Sequence, residues 1–284
     1  MDKPLNHIKS AMKAYDNKRF LHSKNGRILR LISEYLYPEQ KLRAFGIKRT
    51  VIFFGSARIH PLDELHEKIA ETEILIKKCS KNSEMENLQQ MIKVLKNQTE
   101  LAKYYEEARL LAYRLTEWSN SVPKQDQIHI STGGGPGIME AANRGSFEAG
   151  GQTIGLNISL PFEQKPNPYI HRELNFEFHY FFMRKFWLVY LAQIMVVFPG
   201  GFGTIDELME ILTLRQTGKM SKPKVIILYS KDWWTKVINF DYLIDMGMIN
   251  KDDMELFRFV NSPDEAFELI RNELITNKLK SRFK

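Results

Sequence analysis

Two glycine-rich segments of the 284-residue chain have the residue types and spacing that suit a phosphate group. STGGGPG (131–137) and PGGFG (199–203) each follow an apolar run and precede a stretch with helical periodicity. Glycine lets a ligand approach the backbone closely, and the N–H groups at a helix N-terminus are unpaired and carry a partial positive charge. Together these features make an anion site, so two such loops predict a phosphorylated ligand.

Neither loop matches the common nucleotide fingerprints. A G-x-G-x-x-G pattern begun at Gly133 or at Gly201 meets Ile138 or Asp206 where its third glycine belongs. No G-K-[ST] follows either loop, which excludes a Walker A phosphate loop.

A threonine and two acids follow the second loop, at Thr204, Asp206 and Glu207. Successive residues of a helix lie about 100° apart, so only one of the two acids has to face a ligand held by the loop. Thr204 and Glu207 also have the T-x-x-E spacing of a capping box, in which Glu207 would only cap its own helix. The sequence leaves both roles open, and the glycines in front favour the ligand.

The loops belong to a chain in which predicted strands alternate with predicted helices. A short strand followed by a helix is also predicted within 174–193, and the other strands are continuous apolar runs. These runs are TVIFFGSAR (50–58), IHIS (128–131), QTIGLNI (152–158), IMVVFPGG (194–201) and KVIILYS (224–230). Such runs predict an α/β fold with a doubly wound parallel sheet buried on both faces. Ligands bind beyond the carboxyl ends of such strands, so GSAR (55–58) and both glycine loops should converge on one crevice.

Three further segments surround this predicted sheet. Residues 1–49 are predicted as a basic helical extension, with helical spacing over 5–37 and Pro38 as its stop. Residues 50–284 form the sheet domain, and the segment of about 62–119 exceeds a minimal crossover, so it should contain an inserted helical pair or more. Two or three helices are expected after residue 230.

Composition narrows the protein class. The net charge is +7, and residues 1–50 hold twelve Lys/Arg against four Asp/Glu. This basic stretch favours a solvated helical face, with a nucleic-acid contact as the alternative. One cysteine, Cys79, allows no intramolecular disulfide, and the chain has no apolar run of transmembrane length and no secretory signal at its start. A cytoplasmic protein without a membrane partner is therefore expected.

Three motifs in this order, STGGGPGIMEAANRG (131–145), MRK (183–185) and PGGFGTIDE (199–207), resemble those of the LOG family. These are cytokinin-activating nucleoside 5′-monophosphate phosphoribohydrolases, also described as "lysine decarboxylases". The family pattern P-G-G-x-G-T-x-x-E is matched in full. The resemblance implies a Rossmann-like fold, a homodimer or larger homo-oligomer, and hydrolysis of the N-glycosidic bond of a nucleotide, AMP-like for preference, to free base and ribose 5-phosphate. No cofactor and no metal are expected.

The resemblance also implies roles for individual residues. Arg184 and Glu207 look like the catalytic pair. The residues expected to bind the phosphate are those of the second glycine loop, called here the phosphate cradle: Gly200, Gly201, Gly203 and Thr204. The residues expected on the ribose and base side are Ser56, Thr132, Gly133, Gly134 and Gly135. Lys185 is also expected to bind substrate or phosphate. An alternative hypothesis, in which Lys185 forms a Schiff base with pyridoxal phosphate, is disfavoured. The alternative function is a related protein that binds a nucleotide or phosphorylated cofactor without cleaving it.

Overall fold

A seven-stranded sheet forms the centre of the molecule. The computed structural model describes residues 11–79, 81–160, 165–220 and 225–282. Every neighbouring strand pair is parallel, and the strand order is β4-β3-β2-β1-β5-β6-β7. The strands are β1 (Thr50–Phe54), β2 (His129–Thr132), β3 (Ile154–Ile158), β4 (Asn175–Phe178), β5 (Ala192–Val197), β6 (Val225–Tyr229) and β7 (Phe257–Val260). The predicted Rossmann-like parallel α/β fold is confirmed.

Helices cover both faces of the sheet. The α-helices are α1 (Lys18–Leu21), α2 (Arg27–Ala44), α3 (Leu62–Lys78), α4 (Asn82–Thr99), α5 (Lys103–Ser121), α6 (Ile138–Glu148), α7 (Phe181–Tyr190), α8 (Phe202–Gln216), α9 (Lys231–Val237), α10 (Phe240–Asp245) and α11 (Pro263–Arg282). Short 3-10 helices lie at Ala14–Asp16, Lys124–Asp126, Arg172–Leu174 and Lys251–Leu256. Among the helices of these described ranges, none has the length and apolar character needed to cross a membrane.

The two faces of the sheet bury separate apolar cores because side chains alternate along each strand. Val51 and Phe53 of β1 pack with α5, α6 and α11, whereas Ile52 and Phe54 pack with α2 and α7–α10. Burial on both faces explains why the strands are apolar throughout instead of alternating.

The chain reverses its direction of travel across the sheet at β1. It runs from β1 outward to β4, then returns to place β5 on the other side of β1 and continues to β7. The loops that follow β1 and β5 therefore diverge in opposite directions, which opens a crevice at the carboxyl ends of these strands.

The prediction that Pro38 stops the first helix is wrong, because α2 continues through Pro38 to Ala44. Proline lacks the N–H that would bond the carbonyl of Glu34 four residues earlier. The indole Nε1–H of Trp187 in α7 donates to that carbonyl instead, at 3.0 Å. A tertiary contact thus replaces the missing helical hydrogen bond. Residues 5–10 of the predicted helix lie outside the described residues.

The segment 62–119 has two parts with different packing. Helices α3 and α4 form a hairpin with a small core of its own around Leu65 and Leu95. Helix α5 instead buries Leu111 and Leu115 in the apolar core that contains Val51 and Phe53 of β1. It is therefore the crossover helix between β1 and β2. After β6 the chain forms not only helices but also β7, an edge strand that was not predicted from the sequence.

Candidate active site

A cleft of about 750 Å³ opens at the carboxyl ends of β1 and β5. The loops after β1, β2 and β5 meet there and are tied together by backbone hydrogen bonds. The N–H of Ser56 donates to the carbonyl of Pro199 at 3.0 Å, and the N–H of Ile138 donates to the carbonyl of Ser56 at 3.1 Å. The three loops therefore form one rim, at the place expected for a parallel sheet.

The second glycine loop leads directly into α8. Helix α8 begins at Phe202 with Gly201 as its N-cap, and no side chain caps it. The N–H groups of its first turn lack helical partners, as at any helix N-terminus. A Cβ atom built on Gly201 or Gly203 meets nothing within 4 Å, so the space in front of the loop is open to a ligand. Gly200 has a different role, because a Cβ there would collide with Thr204.

Glu207 does not cap its helix. With Gly201 as N-cap, Thr204 is the third helical residue and Glu207 lies in the second turn, so the two do not form a capping box. Glu207 is only 7% exposed and lines the cleft. Its Oε1 lies 4.0 Å from Nη1 of Arg184. Of the two roles that the sequence leaves open for Glu207, the structure excludes the capping role.

Burial of Glu207 raises the pKa of its carboxyl group to about 7, because the charged form loses water. The positive charges of Arg184 and Lys185 lower this pKa, and the negative charges of Asp206 and Glu210 raise it further. An acid with a pKa near neutrality is suited to proton transfer at ordinary pH.

Arg184 reaches the cleft from α7. Its Nε–H donates to the carbonyl of Leu156 in the middle of β3, at 2.8 Å, which fixes the plane of the guanidinium group. Burial lowers the pKa of Arg184, but an arginine keeps its proton in a protein. Arg184 therefore offers the cleft a fixed positive charge.

A buried polar network supports the first glycine loop from beneath. Thr132 Oγ1 donates to Asn143 Oδ1 at 2.7 Å and accepts the N–H of Gly134 at 3.0 Å. Nδ2 of Asn167 lies 3.1 Å from the carbonyl oxygen of Gly134 and 3.0 Å from that of Gly135. Gly134 also needs to be glycine, since its φ is +78°.

The predicted site residues other than Lys185 thus divide into two groups, those that line the cleft and those that do not. The cleft is lined by Ser56, Gly133, Gly135, Arg184, Gly200, Gly201, Gly203, Thr204 and Glu207. Thr132 and Gly134 do not line it, and their contacts shape the loop.

The expectation that Lys185 binds phosphate is not supported by its contacts. Its Nζ lies 2.7 Å from a carboxylate oxygen of Asp206 and 2.7 Å from one of Glu210. These two acids hold Lys185 against α8, and Lys185 does not line the cleft, although Asp206 does.

Several cleft residues were not singled out as site residues from the sequence. Arg58 follows Ser56 in the loop after β1, and it is exposed and lines the cleft. Asn157 stands at the end of β3, and Met139 lies near the start of α6. Phe181 at the start of α7 also lines the cleft, and Phe202 is 94% exposed at the tip of the second loop. The residues of GSAR carried the only usable signal, because their position after a strand places them at the crevice.

The open space at Gly201 leads to a test of the phosphate cradle. A Gly201→Ala variant is expected to lose no more than about 1 kcal/mol of stability, because its methyl group meets no protein atom and the cost is that of alanine at a helix N-cap. The same methyl group occupies space in front of the loop amides, so the dissociation constant for a nucleoside monophosphate should rise by about tenfold or more. Calorimetric titration and thermal melting measure the two effects. Unchanged binding would show that the ligand does not approach this loop.

The fold and site define a parallel α/β protein with two glycine loops at one crevice, and comparisons with known proteins show which family it resembles. Residues 139–270 match the family model described as "Possible lysine decarboxylase". The chain is 26% identical over 149 residues to cytokinin riboside 5′-monophosphate phosphoribohydrolase LOG5 of Arabidopsis thaliana, covering 51% of this chain and 62% of the relative. It is 33% identical over 89 residues to the LOG7 enzyme of the same plant, covering 31% of this chain and 39% of the relative. Together with the motifs, these matches show that the chain is similar to members of the LOG family over these regions.

Two solved structures are among those with similar chain paths. The X-ray structure of TM1055 is 20% identical, covers 79% of this chain and 99% of that chain, and has a TM-score of 0.45. The structure of the Moco carrier protein from Chlamydomonas reinhardtii is 18% identical, covers 61% of this chain and 89% of that chain, and has a TM-score of 0.42. The matched regions span less than two thirds of the length of either curated plant relative.

Proposed function

We propose that this protein hydrolyses the N-glycosidic bond of a nucleoside 5′-monophosphate, with AMP-like nucleotides preferred, and releases the free base and ribose 5-phosphate. One observation carries the proposal: a buried acid, Glu207, faces a fixed arginine in a cleft bordered by two glycine loops. A protein that only binds a nucleotide needs the loops but not a buried carboxylate, which is costly to keep. The activity by which the two plant relatives are named agrees with this function.

The proposed reaction divides the work among three groups. The loop amides and the helix dipole at 200–204 hold the phosphate and thereby align the ribose. As the bond from C1′ to the base nitrogen breaks, its electron pair leaves with the base, and positive charge develops on the ribose. The Glu207 carboxylate stabilises that charge and takes a proton from the water that attacks C1′, and this proton passes on to the departing base, which is released in its neutral form. Arg184 acts by charge and hydrogen bonding, because it does not release a proton.

A panel of substrates tests the proposal. Purified protein is incubated with AMP, GMP, IMP, CMP, UMP and a prenylated AMP, and free base is separated from nucleotide by chromatography. Release of one base is expected, and Glu207→Gln should reduce turnover by about 10²- to 10³-fold while nucleotide binding persists. Glu210→Gln is the matched control, because Glu210 lies on the same helix but contacts Lys185 outside the cleft.

The outcomes separate the enzyme from the binding module. No base release from any nucleotide, with nucleotide still bound, would favour the non-catalytic alternative. Near-normal turnover in Glu207→Gln would leave the proposed chemistry without its acid.

The proposal includes a homodimer, in which a second copy covers an apolar surface formed by α2 and α7. The large apolar side chains exposed there are Ile28, Ile32, Tyr35, Phe182, Phe186 and Tyr190. The rings of Tyr35 and Phe186 lie 5.7 Å apart, so the two helices contribute to one continuous patch. Large exposed apolar patches mark association surfaces. The patch adjoins the cleft, since Phe181 of the same helix lines it.

A charge placed on this surface tests the dimer. Phe182→Glu should weaken association by about tenfold or more, since it introduces a carboxylate into an apolar contact. Light scattering coupled to size exclusion measures the mass over a dilution series. Phe147→Glu is the control, because Phe147 is similarly exposed but lies on α6. A monomeric original protein, or a dimer unaffected by Phe182→Glu, would contradict the assignment of this surface.

A further inference from the structure

Helix α2, which lies outside the region matched to the family, contacts α7 at both ends of the turn that carries Arg184. We infer that α2 positions Arg184 for the reaction, and that Glu34 is the residue through which it does so. This inference rests on the proposed function, since it assigns a positioning residue to that same site. It gives the N-terminal helical segment a role in the chemistry without placing any of its residues in the cleft.

The carboxylate of Glu34 holds the start of α7. Its Oε1 accepts the backbone N–H of His179 at 2.9 Å, and its Oε2 accepts that of Tyr180 at 3.3 Å. Tyr180 is the N-cap of α7, and it makes no side-chain cap of its own. A carboxylate supplied by another helix thus anchors the N-cap residue and the residue before it, and it complements the positive end of the α7 dipole.

The backbone of Glu34 holds α7 at a second point. Because Pro38 has no N–H, the carbonyl of Glu34 is left without a helical donor. The indole Nε1–H of Trp187 donates to this carbonyl at 3.0 Å. The ring of Tyr35 lies 5.7 Å from that of Trp187 and supports the same contact. The proline that breaks the sequence pattern of α2 therefore creates the acceptor that α7 uses.

The two attachment points bracket Arg184. Tyr180 precedes it by one turn and accepts its backbone N–H at 3.1 Å, whereas Trp187 follows it by three residues. Any shift or rotation of α7 moves the guanidinium group relative to Glu207, which is 4.0 Å away on a different helix. Misplacement of a catalytic group by about 1 Å lowers a rate by as much as 10²-fold.

A purely structural role for Glu34 makes a different prediction from a positioning role. Loss of a helix cap alone lowers the free energy of unfolding by about 1 kcal/mol and leaves the site unchanged. Loss of a positioning contact also changes the environment of Glu207. The charged groups that face Glu207 are Arg184 and Lys185 from α7 and Asp206 and Glu210 from α8, while Arg58 lines the same cleft. Arg184 lowers the pKa of Glu207, so displacement of Arg184 should raise that pKa further.

The test compares Glu34→Ala with Glu39→Ala in the full-length protein. Glu39 lies on the same helix and pairs with Arg43 within α2, so it is a matched acid whose ion pair does not involve α7. The Glu207 carboxyl is titrated by carbon NMR without substrate, with its signal assigned from Glu207→Gln, and kcat and KM are measured with the nucleotide that releases base. Glu34→Ala should lower kcat by about tenfold or more, change KM by less than about twofold and move the Glu207 titration to higher pH. Glu39→Ala should have the same kcat, KM and Glu207 titration as the wild-type protein.

Two further variants keep the result decisive. Glu34→Gln retains one acceptor oxygen for the α7 amides and should recover part of the lost kcat. If Glu34→Ala does not fold, Trp187→Phe removes the second attachment and should shift kcat and the titration in the same direction. An unchanged kcat and an unchanged Glu207 titration would overturn the inference, even if the melting temperature falls. Because the titration needs no turnover, it tests the positioning contact even if no nucleotide is cleaved.

Discussion

Glu207→Gln is expected to be more stable than the original protein at pH 8 while it loses turnover. The carboxyl group of Glu207 has a pKa of about 7 in the folded protein, against 4.5 for an ordinary glutamate. Burial is the cause, because only 7% of the residue is exposed and the ion loses its water. A glutamine of the same shape removes that cost, and it also removes the carboxylate that the proposed reaction needs.

The direction with pH follows from proton binding in the two states. Between about pH 4.5 and pH 7 the unfolded chain has lost the Glu207 proton while the folded protein retains it. Unfolding therefore releases a proton in this window, and the contribution of Glu207 to stability is fully present below pH 4.5 and is lost as the pH rises to about 7. A shift of this size corresponds to at most roughly 3 kcal/mol.

Thermal melting at pH 4.5 and pH 8 measures the effect. At pH 8 the melting temperature of Glu207→Gln should exceed that of the original protein by up to about 5–10 °C, and the two should agree at pH 4.5. Glu210→Gln, on the same helix but half-buried against Lys185, should show no comparable gain. A Glu207→Gln protein that is less stable than the original at pH 8 would mean that Arg184 already offsets the burial of the carboxylate. The proposed reaction would then lose its acid with a near-neutral pKa.

The sheet and its crevice could be predicted from the sequence because local pattern and global arrangement agree there. Apolar runs such as those at β1 and β5 are buried on both faces, and parallel strands place their following loops at one edge. β7 escaped prediction because FRFV has only four residues, buries only Phe257 and Val260 and follows a polar segment, so it resembles neither a core run nor a helix. The continuation of α2 through Pro38 escaped prediction because its compensating donor, Trp187, is 149 positions away along the chain.

In the candidate site, too, some features could be predicted from the sequence and others depend on packing. The glycine loops predicted a site, and a strand-to-helix junction gave its place. The role of Lys185 depends on Asp206 and Glu210, which face it only after α7 and α8 have packed. The choice between cap and acid for Glu207 depends on where α8 begins, and the T-x-x-E spacing is the same in both cases. Residue types therefore indicate which groups are present at a site, whereas packing decides which of them face the ligand.

Gly133→Ala is expected to lose turnover by about 10²-fold while the protein remains folded. A Cβ atom at this position would overlap Nη2 of Arg184 and would lie 2.9 Å from Sδ of Met139. Both atoms are at the ends of flexible side chains, so the protein can relieve the overlap by moving them, at a cost of about 1–3 kcal/mol. Relief moves the guanidinium group of Arg184 out of its place opposite Glu207, and catalysis is more sensitive to that movement than folding is.

Gly134→Ala provides the contrasting variant at the next position. Its φ of +78° and its overlap with Asn157 involve no atom of Arg184, so the substitution should lower the melting temperature more than Gly133→Ala does. Turnover and melting temperature are measured for both variants, and the Glu207 carboxyl is titrated in Gly133→Ala. A raised Glu207 pKa is expected there, because Arg184 no longer favours the carboxylate to the same extent. Since Gly133 belongs to the first glycine loop and Arg184 to α7, this result would show that the loop serves the reaction by leaving room for the arginine as well as for the ligand. If Gly133→Ala kept normal turnover and a normal titration, Arg184 would not need its present position for the reaction.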